Sequence, residues 1–183
     1  MKNLIRIAIL ILLVSSQVFA QKYVTKNGNI KFYSKTPMEN IEAINKQVNS
    51  ALDIVTGDFV FKVLMKSFEF DRALMQEHFN ENYVESDKYP TATFKGKITN
   101  LKSIDFTKAG TYKAEVEGDL TIHNVTKKVK QTGTFEVKGD KVHGKAKFNI
   151  KPQDYEIKIP SAVAANFAES MEVTVDITLD KIK

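Results

Sequence analysis

The chain has 183 residues, 43% of them apolar, with 27 Lys or Arg against 22 Asp or Glu and no Cys. The lack of Cys excludes disulfide staples, thiol catalysis and Cys-ligated metal. The formal charge of +5 is mild, and the lysines are spread thinly rather than clustered with aromatics, which argues against a nucleic-acid partner.

Residues 1–20 read as a cleaved signal peptide. Lys2 and Arg6 precede the apolar run Ile7 to Val14, and Val18-Phe19-Ala20 forms a small-residue cleavage pattern before Gln21. The run is too short to cross a hydrocarbon layer of about 30 Å as a helix. Export to the periplasm, with secretion as the further case, is therefore expected, and residues 21–183 form one domain. Without the leader's two cations the net charge falls to +3.

Asn29 to Lys35 reads as the first strand. Ile41 to Val55 carries two patterns, because Ile41, Ile44, Val48, Ala51, Leu52 and Val55 fit a helical stripe while Val48, Leu52 and Ile54 suit a strand. The expectation is a short helical turn near Ile41 followed by a strand, which ends in the turn Thr56-Gly57-Asp58. Phe59 to Phe68 is the next strand. Asp71 to Asn80 is the best helix, with Asp71 as its cap and Leu74, Met75, His78 and Phe79 on one face. Pro90 bars its continuation, and Thr91 to Ile98 returns to strand.

The second half alternates with period two. Tyr112, Ala114, Val116, Gly118, Leu120 and Ile122 share one face, opposite Lys113, Glu115, Glu117 and Asp119. His123-Asn124 forms a two-residue hairpin turn, which Asn suits because it tolerates a left-handed backbone. Val125, Val129, Phe135 and Val137 continue on the return strand. After Gly139-Asp140, Val142 to Ile150 and then Met171 to Leu179 repeat the pattern. About eight antiparallel strands wet on one face and one short helix make an all-β chain that closes into a barrel or folds into a sandwich.

The inward set includes Ala114, Gly118, Gly133, Gly144 and Ala146. Small residues there either leave an apolar hollow or mark bulges and corners around a solid core, and the alternation alone does not choose.

Three stretches of the chain resemble the YceI-like family of exported, lipocalin-like barrels that bind polyisoprenoid lipids. They are Leu74 to Glu81 leading to Glu85-Ser86-Asp87-Lys88-Tyr89-Pro90-Thr91-Ala92-Thr93-Phe94, then Gly118-Asp119-Leu120-Thr121-Ile122-His123-Asn124-Val125-Thr126-Lys127, and Phe148-Asn149-Ile150 followed by Asp154-Tyr155. Asn124 stands where the family commonly has Gly, and Gln76-Glu77-His78-Phe79 where many members have Arg-Asp-x-His-Leu. The resemblance implies an eight-stranded antiparallel β-barrel with one short helix and a central apolar tunnel for an isoprenoid chain.

On that reading the protein sequesters or carries a polyisoprenoid or similar long-chain lipid. The chain would lie among Phe61, Val63, Tyr112, Ala114, Val116, Leu120, Phe135, Ala146, Phe148 and Val175, with the headgroup near His78. His78 matches the family's His and is either a rim contact or a histidine bonded to strand backbone. Tyr112 and Tyr155 could offer hydroxyls to a ligand. His123 and His143 read as solvated. No Gly-x-Ser-x-Gly elbow is present, and of Glu77, His78 and Glu81 only His78 with Glu81 has helical ligand spacing. Catalysis, a metal and a cofactor are thus not expected, whereas a homodimer is compatible with the pattern. The alternatives are a barrel enzyme acting on an apolar substrate and a surface-recognition module with a filled core.

Overall fold

The computed structural model describes residues 21–36, 40–160 and 168–182, so the signal peptide expected for residues 1–20 lies outside the described residues. Nine strands are found among them: β1 (Lys22–Lys35), β2 (Asn40–Asp53), β3 (Asp58–Leu64), β4 (Phe68–Phe70), β5 (Thr91–Ile98), β6 (Gly110–Ile122), β7 (Val125–Lys138), β8 (Lys141–Ile150) and β9 (Met171–Lys181). Every pairing is antiparallel, in the order β1-β9-β8-β7-β6-β5-β3-β2, and β2 pairs back onto β1 to close the sheet. A single 3-10 turn, Met65–Ser67, separates β3 from β4, and both lie along β2. The barrel therefore has eight staves. Closure leaves no long free edge to attract another chain.

The strands with clean alternation form as the residues dictate. β6 and β7 pair without interruption from Gly110 opposite Val137 to Ile122 opposite Val125. Their turn residues His123 and Asn124 have φ of 51° and 63°, the left-handed pair that a two-residue hairpin requires.

The first half departs from the sequence expectation at two bulges. In β2 the buried positions are Ile41, Ala43 and Asn45, then Val48, Ser50 and Leu52. The inward phase slips by one residue at Lys46-Gln47, opposite the irregular Gly28–Ile30 stretch of β1. The slip lays apolar residues three and four apart, which imitates a helix; the helical turn expected near Ile41 is in fact strand. Asn45 is fully buried but satisfied, since its Nδ2 donates to the Leu64 carbonyl at 2.8 Å and its Oδ1 accepts from the Gln47 N–H at 2.9 Å. β1 begins at Lys22 rather than Asn29, because polar Thr25 to Gly28 form a second bulge and not a loop.

The helix, α1 (Ala73–His78), is shorter than expected and opens into a wider π turn at Phe79–Tyr83. Its N-cap is Arg72, not Asp71, and no side chain caps it.

The outer face carries the charges. Lys31–Glu42, Lys97–Asp58, Lys128–Asp119 and Lys147–Glu172 pair across neighbouring strands at 2.8–3.3 Å. These pairs are exposed, so each contributes little to stability. His143 faces outward but is tied down, with Nε2 2.6 Å from Asp176 Oδ1; that hydrogen bond holds the Asp176 carboxyl below its usual range.

The small inward residues do not open space. A β-carbon on Gly118 would collide with the Gly96 Cα and the Lys95 carbonyl oxygen across the β5–β6 pair, and one on Gly133 with the Lys145 carbonyl oxygen. Gly144 lies beneath Phe135 and Ile177. These glycines let staves approach and curve. Gly118→Ala should therefore lower unfolding free energy by about 1–3 kcal/mol in urea denaturation, as overpacking does.

Candidate ligand-binding cavity

The interior is divided. At the end that carries the β2–β3 and β7–β8 turns, Tyr23, Leu52, Phe59, Phe135, Val137, Val142, Ile177 and Leu179 pack solidly. Ile104 and Phe106, from the loop between β5 and β6, plug this end from below. The Phe135 ring stands edge-on to Phe59 at 5.6 Å and lies 6.2 Å from Phe106. Edge-to-face pairs at this range are favourable beyond their buried area.

At the opposite end the barrel is hollow. A cavity of about 410 Å³ runs down from the mouth, within the range of small-molecule sites. Its walls are Ile30 and Phe32 of β1, Ile41 of β2, Val63 of β3, Ala92 of β5, Leu120 and Ile122 of β6, Phe148 and Ile150 of β8, and Met171 and Val173 of β9. Met65, Phe68, Phe70, Met75 and Phe79 close one side of the mouth, and Pro152, Tyr155, Ile157 and Ile159 the other. His78, Tyr83 and Tyr155 are the lining side chains with polar atoms. Burial pushes the hydroxyls of Tyr83 and Tyr155 up from their ordinary pKa, so both stay neutral. A water-filled hollow with so few partners is unfavourable, whereas each methylene sheltered in it contributes about 0.8 kcal/mol.

A cluster of four phenylalanines holds the helix over the mouth. Phe79 lies 5.5 Å from Phe32, 5.7 Å from Phe68 and 5.1 Å from Phe70. The π turn widens the backbone where Phe79 and Tyr83 enter the lining. Leu74, expected on the same face, is 61% exposed and points away.

The far side of the mouth is held by His123. Its Nε2 is 2.8 Å from Glu85 Oε2 and its Nδ1 3.3 Å from the Tyr155 carbonyl oxygen, while its ring meets Tyr89 edge-on at 4.4 Å. Both nitrogens face oxygen acceptors, so both bonds form together only when both nitrogens carry hydrogen. Far from being solvated as expected, His123 joins the β6–β7 turn to the segments after α1 and β8. Beside it a polar recess opens off the cavity, sharing Tyr83, Ile157 and Ile159 with it.

Of the sequence-predicted site residues, Val63, Leu120, Phe148 and His78 line the cavity. Phe61 and Val175 sit at the waist and pack against both halves. Tyr112, Ala114, Val116 and Phe135 belong to the solid half, where the Tyr112 hydroxyl donates to the Lys108 carbonyl at 3.0 Å. Ala146 is half-buried opposite Gly133 and Val175, away from the lining. His78 is exposed at the rim, as a rim contact would be. Phe32, Phe68, Phe70, Phe79 and Ala92 were not singled out. Their common signal is position: each lies near a strand end or helix that faces the His123 end of the barrel.

The molecule is a closed eight-stranded antiparallel barrel of lipocalin-like form, with a short helix at the mouth of an apolar chamber. The YceI-like domain matches residues 21–179, and the chain belongs to that family. Among solved structures it is similar to a polyisoprenoid binding domain from Saccharophagus degradans implicated in plant cell wall breakdown. That likeness has a TM-score of 0.78 at 10% identity and covers 89% of this chain and 99% of that one. BcnA of Burkholderia cenocepacia has a TM-score of 0.66 at 17% identity, covering 82% of this chain and 95% of that chain. A Campylobacter jejuni YceI protein has a TM-score of 0.59 at 15% identity, covering 76% and 83%. No curated protein sequence matches the chain significantly.

The two halves should respond differently to truncation. Phe135→Ala should cost about 3–5 kcal/mol of unfolding free energy, the usual loss for a packed Phe. Phe148→Ala, beside space that is already empty, should cost clearly less in the same urea titration.

Proposed function

We propose that this protein is an exported binding protein that sequesters or carries a polyisoprenoid or similar long-chain lipid, and that it has no catalytic role. The observation that carries this reading is the one-ended apolar cavity of about 410 Å³, walled by strands and roofed by the phenylalanine cluster. Such a chamber rewards the burial of hydrocarbon and offers little else. Family membership and the likeness to a polyisoprenoid binding domain support the same ligand class. The leader pattern of residues 1–20 supports export, with the periplasm as the destination.

A binding role also accords with the polar chemistry around the chamber. Its three polar-tipped lining residues are two neutral tyrosines and a rim histidine, and no group of three His, Asp or Glu suited to a metal occurs among the described residues. General acid–base work would need titratable groups converging on one reacting atom.

Two measurements test this. Lipid extracted from protein purified without denaturant should contain a prenyl or comparable long-chain species by mass spectrometry. Ala92→Phe, which thrusts a ring into the hollow, should weaken uptake of an added prenyl alcohol at least about tenfold, roughly 1.4 kcal/mol. Purified protein that is free of lipid and takes up none when it is offered would refute the reading, and turnover of the bound lipid would replace it with the enzyme alternative.

A further inference from the structure

The polar recess beside the cavity is not needed to hold hydrocarbon, and its composition bears on what hangs from the end of the chain. It is lined by Glu85, His123, Gln153, Glu156, Lys158 and Glu169, and it shares walls with the apolar cavity, so a chain seated below would deliver its head there. Among the described residues Lys158 is the sole Lys or Arg lining either space, against three glutamates. Two further lysines stand close by, but Lys151 is 2.5 Å from Glu169 and Lys88 is 3.8 Å from Glu85. Each therefore already faces a carboxylate.

Phosphate and diphosphate groups are held by converging Arg and Lys side chains or by backbone N–H groups at a helix start. The recess has the opposite character. A dianion placed there would meet Glu156 and Glu169 within a partly enclosed space, where like charges repel more strongly than in open water. The carboxylates, the Gln153 amide and the His123 ring instead suit a neutral group that makes hydrogen bonds.

The backbone agrees that the recess is a built feature. Four described non-glycine residues have positive φ, namely Glu85, His123, Asn124 and Glu156, and three of these line the recess. Such backbone costs energy and persists where surrounding structure holds it, commonly at ligand sites. It arrives here from three separate segments: the stretch after α1, the β6–β7 turn and the stretch after β8.

We propose that the recess is the headgroup subsite and that it selects an uncharged, hydrogen-bonding headgroup over a phosphate or diphosphate. The inference rests on the lipid-binding reading above. It moves the headgroup from His78, on the helix side of the mouth, to the His123 side.

The test compares geranylgeraniol with geranylgeranyl diphosphate, two ligands of equal chain length, by calorimetric titration of the full folded protein. The alcohol should bind about tenfold or more tightly, the effect of one or two uncompensated charge contacts at the rim. Because the diphosphate is also the more soluble ligand, the deciding readout is the affinity ratio in the exposed double variant Glu156→Gln/Glu169→Gln. Removing those carboxylates should narrow the ratio at least about threefold. A ratio that does not move in the variant, or a diphosphate that binds the wild type as tightly as the alcohol, overturns the headgroup assignment and leaves lipid binding intact. If neither ligand binds, the lipid reading itself fails and takes this inference with it.

Discussion

The contact on which the rest depends is the packing of Phe135 against Phe59 and Phe106 across the closed end of the barrel. An eight-stranded tube is narrow enough for side chains from opposite walls to meet, and wherever they meet the interior is solid. The plug from the loop between β5 and β6 completes that meeting with Ile104 and Phe106. With burial concentrated there, the other end can remain unfilled without loss of the fold. The barrel therefore has a floor and a chamber, where the family resemblance had implied a tunnel.

The chamber's walls differ in kind on its two sides. One side is a hydrophobic hinge region in which four phenylalanines from β1, β4 and the helix region stack around one another. The other is a polar tether built on His123, Glu85 and the Tyr155 carbonyl. Apolar contacts are non-directional, so the helix side can settle against varied hydrocarbon. Hydrogen bonds to a ring of fixed geometry hold the opposite side in one arrangement. A lipid entering between them would meet oil on one flank and polar groups on the other.

Legibility in the sequence followed the regularity of pairing. From Gly110 to Ile150 the strands alternate without a slip, and strands, turns and inward faces could be read residue by residue. Where β1 and β2 bulge, at Thr25 to Gly28 and at Lys46-Gln47, the period breaks and the pattern imitates a loop and a helix. Buried Asn45 and Ser50 added to the confusion, since their partners are backbone groups of β3 residues that nothing in the local sequence reveals. The helix was visible, but its capping and its π turn were not, because both depend on how Phe79 docks.

What the amino-acid order determined by itself is the face each strand residue takes, the left-handed hairpin at His123-Asn124 and the resemblance to a barrel family. Alternation is a local property, enforced by backbone geometry at every residue. Only the tertiary structure decided how far along the barrel each inward residue lies. Tyr112, Ala114 and Phe135 share their inward direction with Leu120 and Phe148, yet the first three are core and the last two are chamber wall. Direction is set by neighbours in sequence; depth is set by register, bulges and closure, which are agreements between distant strands. The same distance in sequence hid the joining of Glu85, His123 and Tyr155 at the mouth.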